Sequence, residues 1–139
     1  MNGEPRIGVG VIIVRDGEVL LGLRRGAHGA GCWQFPGGHL RAGEGIEQCA
    51  VREAWEETGL KLRNLRLGPY TNDIFAAEGR HYVTLFVLAG CEEGAPEVKE
   101  PEKCEQWRWC RWGAMPTPLF LPIRNLLRQG YVPAECVER

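Results

Sequence analysis

The segment GGHLRAGEGIEQCAVREAWEETGL, residues 37–60, constrains this chain more than any other. It holds five glutamates, at positions 44, 47, 53, 56 and 57, and glycines frame it. From Gly45 to Thr58 the small and apolar residues Ile46, Ala50 and Ala54 recur at i, i+4 and i+8, a helical period, and Gly59 supplies a stop. Each helical residue advances about 100°, so Glu53, Glu56 and Glu57 share one sector of about 100°. Ala50 and Ala54 form a small-residue side that can pack on a sheet. Like charges at this spacing repel by a few tenths of a kcal/mol per pair. A row of carboxylates on one rigid face suits a hard divalent cation. Mg²⁺ takes oxygen ligands, keeps several waters and shares itself with substrate phosphates. Arg52, at i, i+4 to Glu56, is placed to hold that glutamate by a bidentate contact. Gly37 and Gly38 let the backbone approach a ligand, and a carbonyl there is one more candidate metal oxygen.

The rest of the chain frames this helix. IGVGVIIVRDGEVLLGLRR reads as a hairpin, with strands Ile7–Val14 and Glu18–Leu23 around Asp16-Gly17. GAHGAGCWQFPGGHLRAGEG reads as a loop with at most a short strand. Three strand-like runs follow: LKLRNLRLGPYTNDIFA, RHYVTLFVLAG and EQWRWCRW. CEEGAPEVKEPEK is a loop between strands, and a last amphipathic helix is expected over Leu119–Arg128, ended near Gly130. Trp107, Trp109 and Trp112 are expected as strand and core aromatics. The expected fold is mixed α/β in one domain over 1–139, with its core at about 6–133.

At 139 residues and a net charge of −1, the composition offers no broad electrostatic capture of a nucleic acid polymer or an anionic membrane. No run approaches the ~20 apolar residues of a membrane span, and no leader pattern opens the chain. The six cysteines form no CxxC and no zinc spacing, so they are expected as free thiols of a cytoplasmic protein.

Residues 38–60 resemble the Nudix box: Gly, five residues, Glu, seven residues, Arg-Glu-apolar-any-Glu-Glu-any-Gly-apolar. Here these are Gly38, Glu44, Arg52-Glu53-Ala54, Glu56-Glu57 and Gly59-Leu60. Ala54 is smaller than the family's usual aliphatic residue. Beyond the box, GAGCWQFPGGHL, HYVT, EPEKCEQWRW and LRQGY are similar to the MutT-like members, above all the nucleoside triphosphate diphosphatases of the thiopurine-nucleotide-hydrolysing type. The resemblance implies the Nudix fold, an α/β/α sandwich with a mixed sheet and the loop-helix-loop. It implies Mg²⁺, with Mn²⁺ as a substitute, and hydrolysis of canonical, oxidised or modified (d)NTPs to monophosphate and pyrophosphate. Other nucleoside diphosphate-X compounds, such as dihydroneopterin triphosphate or ADP-ribose, are the alternative, and a non-catalytic nucleotide sensor is a remote one. A homodimer is implied as well.

Carried over residue by residue, Glu53 and Glu57 match the principal metal ligands. Glu56 matches a third glutamate that binds metal or orients the attacking water. Arg52 positions the glutamates, Glu44 and Gly59 are structural, and a Gly38 or Gly37 carbonyl completes coordination. A distal glutamate is expected among Glu100, Glu102 and Glu105, with Glu102 favoured. Gln34, Phe35, Thr84, Phe120 and Leu121 are expected to line the nucleobase pocket. His39 is placed for either a phosphate contact or a structural hydrogen bond. Position 75, where ADP-ribose-cleaving relatives often have proline, is Phe75, which favours triphosphates over nucleotide sugars.

Overall fold

The computed structural model describes residues 3–137. The chain opens with β1 (Arg6–Arg15) and β2 (Glu18–Arg24), joined at Asp16-Gly17. Both turn residues have positive φ, 51° and 77°, the signature of a type I′ turn whose twist matches the flanking strands. Two short strands follow, β3 (Trp33–Gln34) and β4 (Gly37–His39), then helix α1 (Ile46–Thr58). Long strands β5 (Leu62–Phe75) and β6 (Arg80–Cys91), strand β7 (Cys104–Arg111) and helix α2 (Leu121–Arg128) complete the order. The glycine-rich loop thus contains two short strands where the sequence suggests at most one. The last helix starts two residues later than expected. Phe120 has extended φ and ψ of −61° and 145°, and Leu119 bridges to Trp33, so the backbone there belongs to the sheet.

The sheet runs β3-β2-β1-β6-β5, with β4 on β1 and β7 on β2. β1 and β6 are parallel and the other pairings between these strands are antiparallel, giving a mixed sheet. The period of two along β1 sorts its residues between two layers. Val9, Val11 and Ile13 face Cys49, Ala50 and Ala54 of α1. Ile12 faces Ile123 and Leu126 of α2 together with Phe35, Phe86 and Trp112. The result is the expected α/β/α sandwich. On the α2 side Gly8 and Gly10 withhold side chains: a Cβ at Gly10 would stand 3.0 Å from the Phe86 ring. All six cysteines are free thiols. Among the described residues no helix is long and apolar enough to cross a membrane.

Helix α1 is held at both ends by backbone chemistry. The Gln48 side chain accepts the Gly45 N–H at 2.7 Å, closing the first turn. Gly59 takes the left-handed conformation, φ 75°, and its N–H reaches the Trp55 carbonyl. The small side chains of Ala50 and Ala54 are fully buried against the sheet, which brings α1 close to β1 and β4. Leu20 is fully buried in the same layer. Leu20→Ala is expected to destabilise the protein by about 2–5 kcal/mol, read as a lower urea midpoint with an unchanged slope.

Candidate active site

The glutamates of α1 meet the glycines of β4. The Gly37 N–H donates to Glu57 Oε2 at 2.9 Å. A Cβ at Gly38 would lie 2.4–2.6 Å from the Glu53 carboxylate, which would have to swing away, and one at Gly37 would lie 2.2 Å from the Val9 carbonyl oxygen, so the strand needs glycine at Gly37. Gly37 and Gly38 are also paired with Gly10 and Val9 of β1, which fixes their backbone. Their role in the structure is therefore a close approach of strand to carboxylates.

One guanidinium organises the box. Arg52 donates to Glu44 through Nε at 2.7 Å and Nη2 at 3.0 Å, a bidentate pair. Its Nη1 reaches Glu53 Oε1 at 2.5 Å and Glu56 Oε2 at 3.3 Å, and Nη2 reaches the His39 carbonyl at 3.2 Å. The sequence expectation of a bidentate Arg52–Glu56 pair is corrected. The fork goes to Glu44 because the loop offers a preformed carboxylate, itself accepting the Arg41 N–H at 3.1 Å, while Glu56 sits on the solvent side. Glu44 is tied to loop and helix at once, as expected for a structural member of the motif. Its carboxyl is held down to about 2 by the Arg52 hydrogen bonds.

Glu57 has the opposite environment. Burial, together with the nearby Glu53 charge, pushes its carboxyl well above the usual range, against the pull of the Gly37 N–H. A third charge, from Glu100, adds to the rise. Glu102 and Glu105 are exposed, whereas Glu100 is half-buried. Of Glu100, Glu102 and Glu105, Glu100 is thus the least exposed and the one whose charge adds to the rise at Glu57. The loop turns there, with the Lys103 and Cys104 N–H groups both on the Glu100 carbonyl.

The donor set fits a hard divalent ion in kind. It consists of carboxylates, and the buried one, Glu57, makes no ion pair among the described residues. Among the described residues no three His, Cys, Asp or Glu side chains converge as a ready-made cage. Arg52 holds Glu53 and Glu56 by single contacts and Glu44 by the fork, so a cation at this face would compete with Arg52 for Glu53 and Glu56 and not for Glu44.

β4 also borders a cavity of about 290 Å³ on the α2 side of the sheet. Gln34, Phe35, Thr84 and Phe120, the residues expected around the base, line it, and so does His39. Leu121 does not. The helix begins there, and Pro122 and Ile123 of its first turn face the cavity instead. Phe35 serves pocket and core together, stacking on Trp112 with centroids 6.0 Å apart. Trp107 and Trp109 pack against the α1-side core. His39 stacks on Tyr82 at 5.4 Å, and partial burial followed by the Arg6 charge lowers its imidazole pKa.

Several lining residues escaped the sequence. His28 meets Phe75 edge-on at 4.7 Å and Phe120 at 5.4 Å, and burial lowers its pKa. Arg24 lies over the Phe120 ring at 4.0 Å, donates twice to the His28 carbonyl and once to the Gln34 side-chain oxygen. Arg80 and Tyr82 stand at the start of β6 on the cavity wall. Phe75 had a signal: Thr71, Asp73 and Phe75 alternate with exposed residues along β5 and face one side. His28 had none, because a glycine-rich loop has no period from which to read a direction, and Arg24 ends β2, where the strand meets that loop.

Residues 4–130 match the model of the NUDIX domain. An RNA pyrophosphohydrolase of Escherichia coli is 41% identical over 141 residues, covering 89% of this chain and 74% of that protein. An ADP-ribose pyrophosphatase of Methanocaldococcus jannaschii is 35% identical over 71% of this chain, and the match spans 61% of that protein's length. An oxidized purine nucleoside triphosphate hydrolase of Danio rerio is 47% identical over 40% of this chain and 35% of its own length. Among solved structures, a MutT NUDIX hydrolase from Burkholderia pseudomallei superposes with a TM-score of 0.85 at 39% identity, covering 91% of this chain and 98% of that one.

The Arg52–Glu44 fork has a pH signature. A carboxyl held near 2 in the folded state, against 4.5 ordinarily, contributes stability that is complete above about 4.5 and lost as the pH falls towards about 2. Glu44→Gln is expected to lower the melting temperature at pH 7. The gap to the parent closes as the pH drops through that window, as followed by calorimetry from pH 7 to pH 2.5.

Proposed function

Because this chain belongs to the Nudix family of hydrolases, we propose that it is a Mg²⁺-dependent pyrophosphohydrolase that cleaves nucleoside triphosphates to nucleoside monophosphate and pyrophosphate. One observation carries this. Gly37 and Gly38 touch the Glu57 and Glu53 carboxylates and line the aromatic cavity, so a phosphate chain next to the carboxylates places its base in the cavity. Oxidised or otherwise modified triphosphates belong to the same class.

In this proposal Glu53, Glu56 and Glu57 hold the cation, and Glu100 is the distal glutamate. When bound, the metal neutralises phosphate charge and makes phosphorus more electrophilic. The Gly37 N–H keeps Glu57 aimed at the strand. Arg52 anchors the loop through Glu44 and gives up Glu53 and Glu56. Glu56, on the solvent side, is placed to orient water. Phe75, Phe120, Tyr82 and Phe35 enclose the base, and Arg24, held by the His28 carbonyl and stacked on Phe120, stiffens the wall. His39, on its Tyr82 stack between carboxylates and cavity, borders the phosphates. A homodimer and a cytoplasmic setting complete the proposal on family resemblance.

A second reading, cleavage of ADP-ribose or of a triphosphorylated RNA end, is favoured by the archaeal and bacterial relatives. One screen separates the two. It measures pyrophosphate, phosphate and nucleotide release from canonical and oxidised (d)NTPs, dihydroneopterin triphosphate, ADP-ribose and a triphosphorylated oligonucleotide, with Mg²⁺. Pyrophosphate from free triphosphates is expected. Turnover of ADP-ribose or the oligonucleotide alone would replace the first reading with the second. Glu57→Gln is expected to lose roughly 100-fold or more of the parent's kcat. The same variant has a readout besides activity. A carboxyl whose folded pKa is raised costs stability as the pH rises through it, so metal-free Glu57→Gln is expected to melt above the parent at pH 8 and to lose that advantage on acidification. Mg²⁺ is expected to raise the melting temperature of the parent but not that of the variant.

A further inference from the structure

Asp73 is fully buried, lies outside the box and takes no part in the proposed hydrolysis. Its carboxylate accepts from three side chains. Thr71 Oγ1 donates to Oδ2 at 3.0 Å, Thr84 Oγ1 donates to Oδ2 at 2.5 Å, and Asn125 Nδ2 donates to Oδ1 at 2.9 Å. The register explains the cluster. Thr71 of β5 stands opposite Thr84 of β6, and Asp73 is two residues on, on the same face. Asn125 reaches it from α2, whose first turn forms one wall of the cavity.

A threonine hydroxyl has one proton and two lone pairs. A carboxylate can only accept, so the Thr84 proton is committed to Asp73. What Thr84 Oγ1 still offers is a lone pair. It lies at the cavity, next to Gly8, where even an added Cβ would stand 3.7 Å away. Gln34 is polarised in the opposite sense. Arginine only donates, so the Arg24 contact takes the Gln34 carbonyl oxygen and leaves the amide N–H groups for a ligand. The cavity therefore presents an acceptor of fixed polarity at Thr84 and a donor of fixed polarity at Gln34.

We propose that Asp73 is a positioning residue that makes Thr84 an obligate hydrogen-bond acceptor, so that the enzyme selects bases with a ring N–H beside a carbonyl. Hypoxanthine, guanine and uracil have such a lactam edge. Adenine and cytosine present a bare ring nitrogen beside an amino group and would set acceptor against acceptor at Thr84. This selectivity rests on the proposed nucleotide site and names its base class. A buried polar group left unpaired by the wrong ligand discriminates more strongly than a missing apolar contact.

The test uses the full chain and two readouts. The first is kcat/KM for inosine and adenosine triphosphates with Mg²⁺, and the second is calorimetric binding of the two monophosphates. The parent is expected to favour inosine by about tenfold or more in both. Thr84→Val, which keeps the shape and loses the lone pairs, is expected to bring the ratio close to one, mainly through KM. Thr84→Ser is expected to keep the ratio. Asp73→Asn, whose amide can donate to Thr84 and free its proton, is expected to lower the ratio, a change that a purely structural Asp73 would not produce. If Asp73→Asn does not fold, the two Thr84 variants decide the matter.

Equal treatment of both bases by the parent, or an inosine preference that survives Thr84→Val, would overturn the proposal. Absent turnover with a binding ratio that Thr84→Val abolishes would sink the triphosphatase reading and leave this one standing. Turnover without base preference would do the reverse.

Discussion

The arrangement depends on a single guanidinium shared among three carboxylates. Arg52 holds Glu44 by a fork and Glu53 and Glu56 by single contacts, and through the His39 carbonyl it also fastens β4. Without it, the acidic face of α1 is a row of repelling charges next to a loop of glycines, which have much conformational entropy to lose. With it, loop, helix and strand become one unit. The unit has two grades of contact. Glu44 takes two hydrogen bonds from the guanidinium, while Glu53 and Glu56 take one each, and in the proposed function these are the ones a cation would compete for.

Close packing at small residues makes that unit compact. Ala50 and Ala54 bring α1 down onto the sheet, and Gly38 lets β4 pass against the Glu53 carboxylate. Glu57 is buried by the same approach. Its raised carboxyl pKa follows from being placed in low dielectric with Glu53 close by. The electrostatic demand for a cation is thus a product of helix-to-strand distance, set by alanines and glycines rather than by the acids themselves.

The opposite face of the sheet does different work. There Gly8 and Gly10 leave space, β5 and β6 supply Phe75, Tyr82 and Thr84, and α2 closes the wall. The Asp73 cluster joins these three elements at one buried carboxylate, so the polarity of the cavity and the seating of α2 share a cause. β4 links the faces, because its glycines border both the carboxylates and the cavity.

Much of this was legible in the linear sequence, for physical reasons. The helical period and glycine stop of residues 45–59, the Asp16-Gly17 hairpin and the strand runs are local patterns, and local patterns survive into the fold. The Arg52–Glu44 tie was implied only by the resemblance of the box, since spacing alone pointed Arg52 at Glu56. Contacts between segments distant in sequence could not be read this way. That Glu100 is half-buried and its charge acts on Glu57, while Glu102 is exposed, depends on how a loop turns some forty residues from the box. The choice of Pro122 and Ile123 over Leu121 depends on the angle at which α2 enters. The inward turn of His28 from a glycine-rich loop onto Arg24 at the end of β2, and the meeting of Asp73 with Thr84 and Asn125, depend on strand register and helix docking. The sequence by itself determined the elements and the acidic motif, because backbone geometry and side-chain periodicity act over a few residues. Only the tertiary structure decided which charges are buried, which hydroxyl donates its hydrogen to a buried carboxylate and which rings enclose the cavity, because burial and long-range pairing are properties of the packed chain.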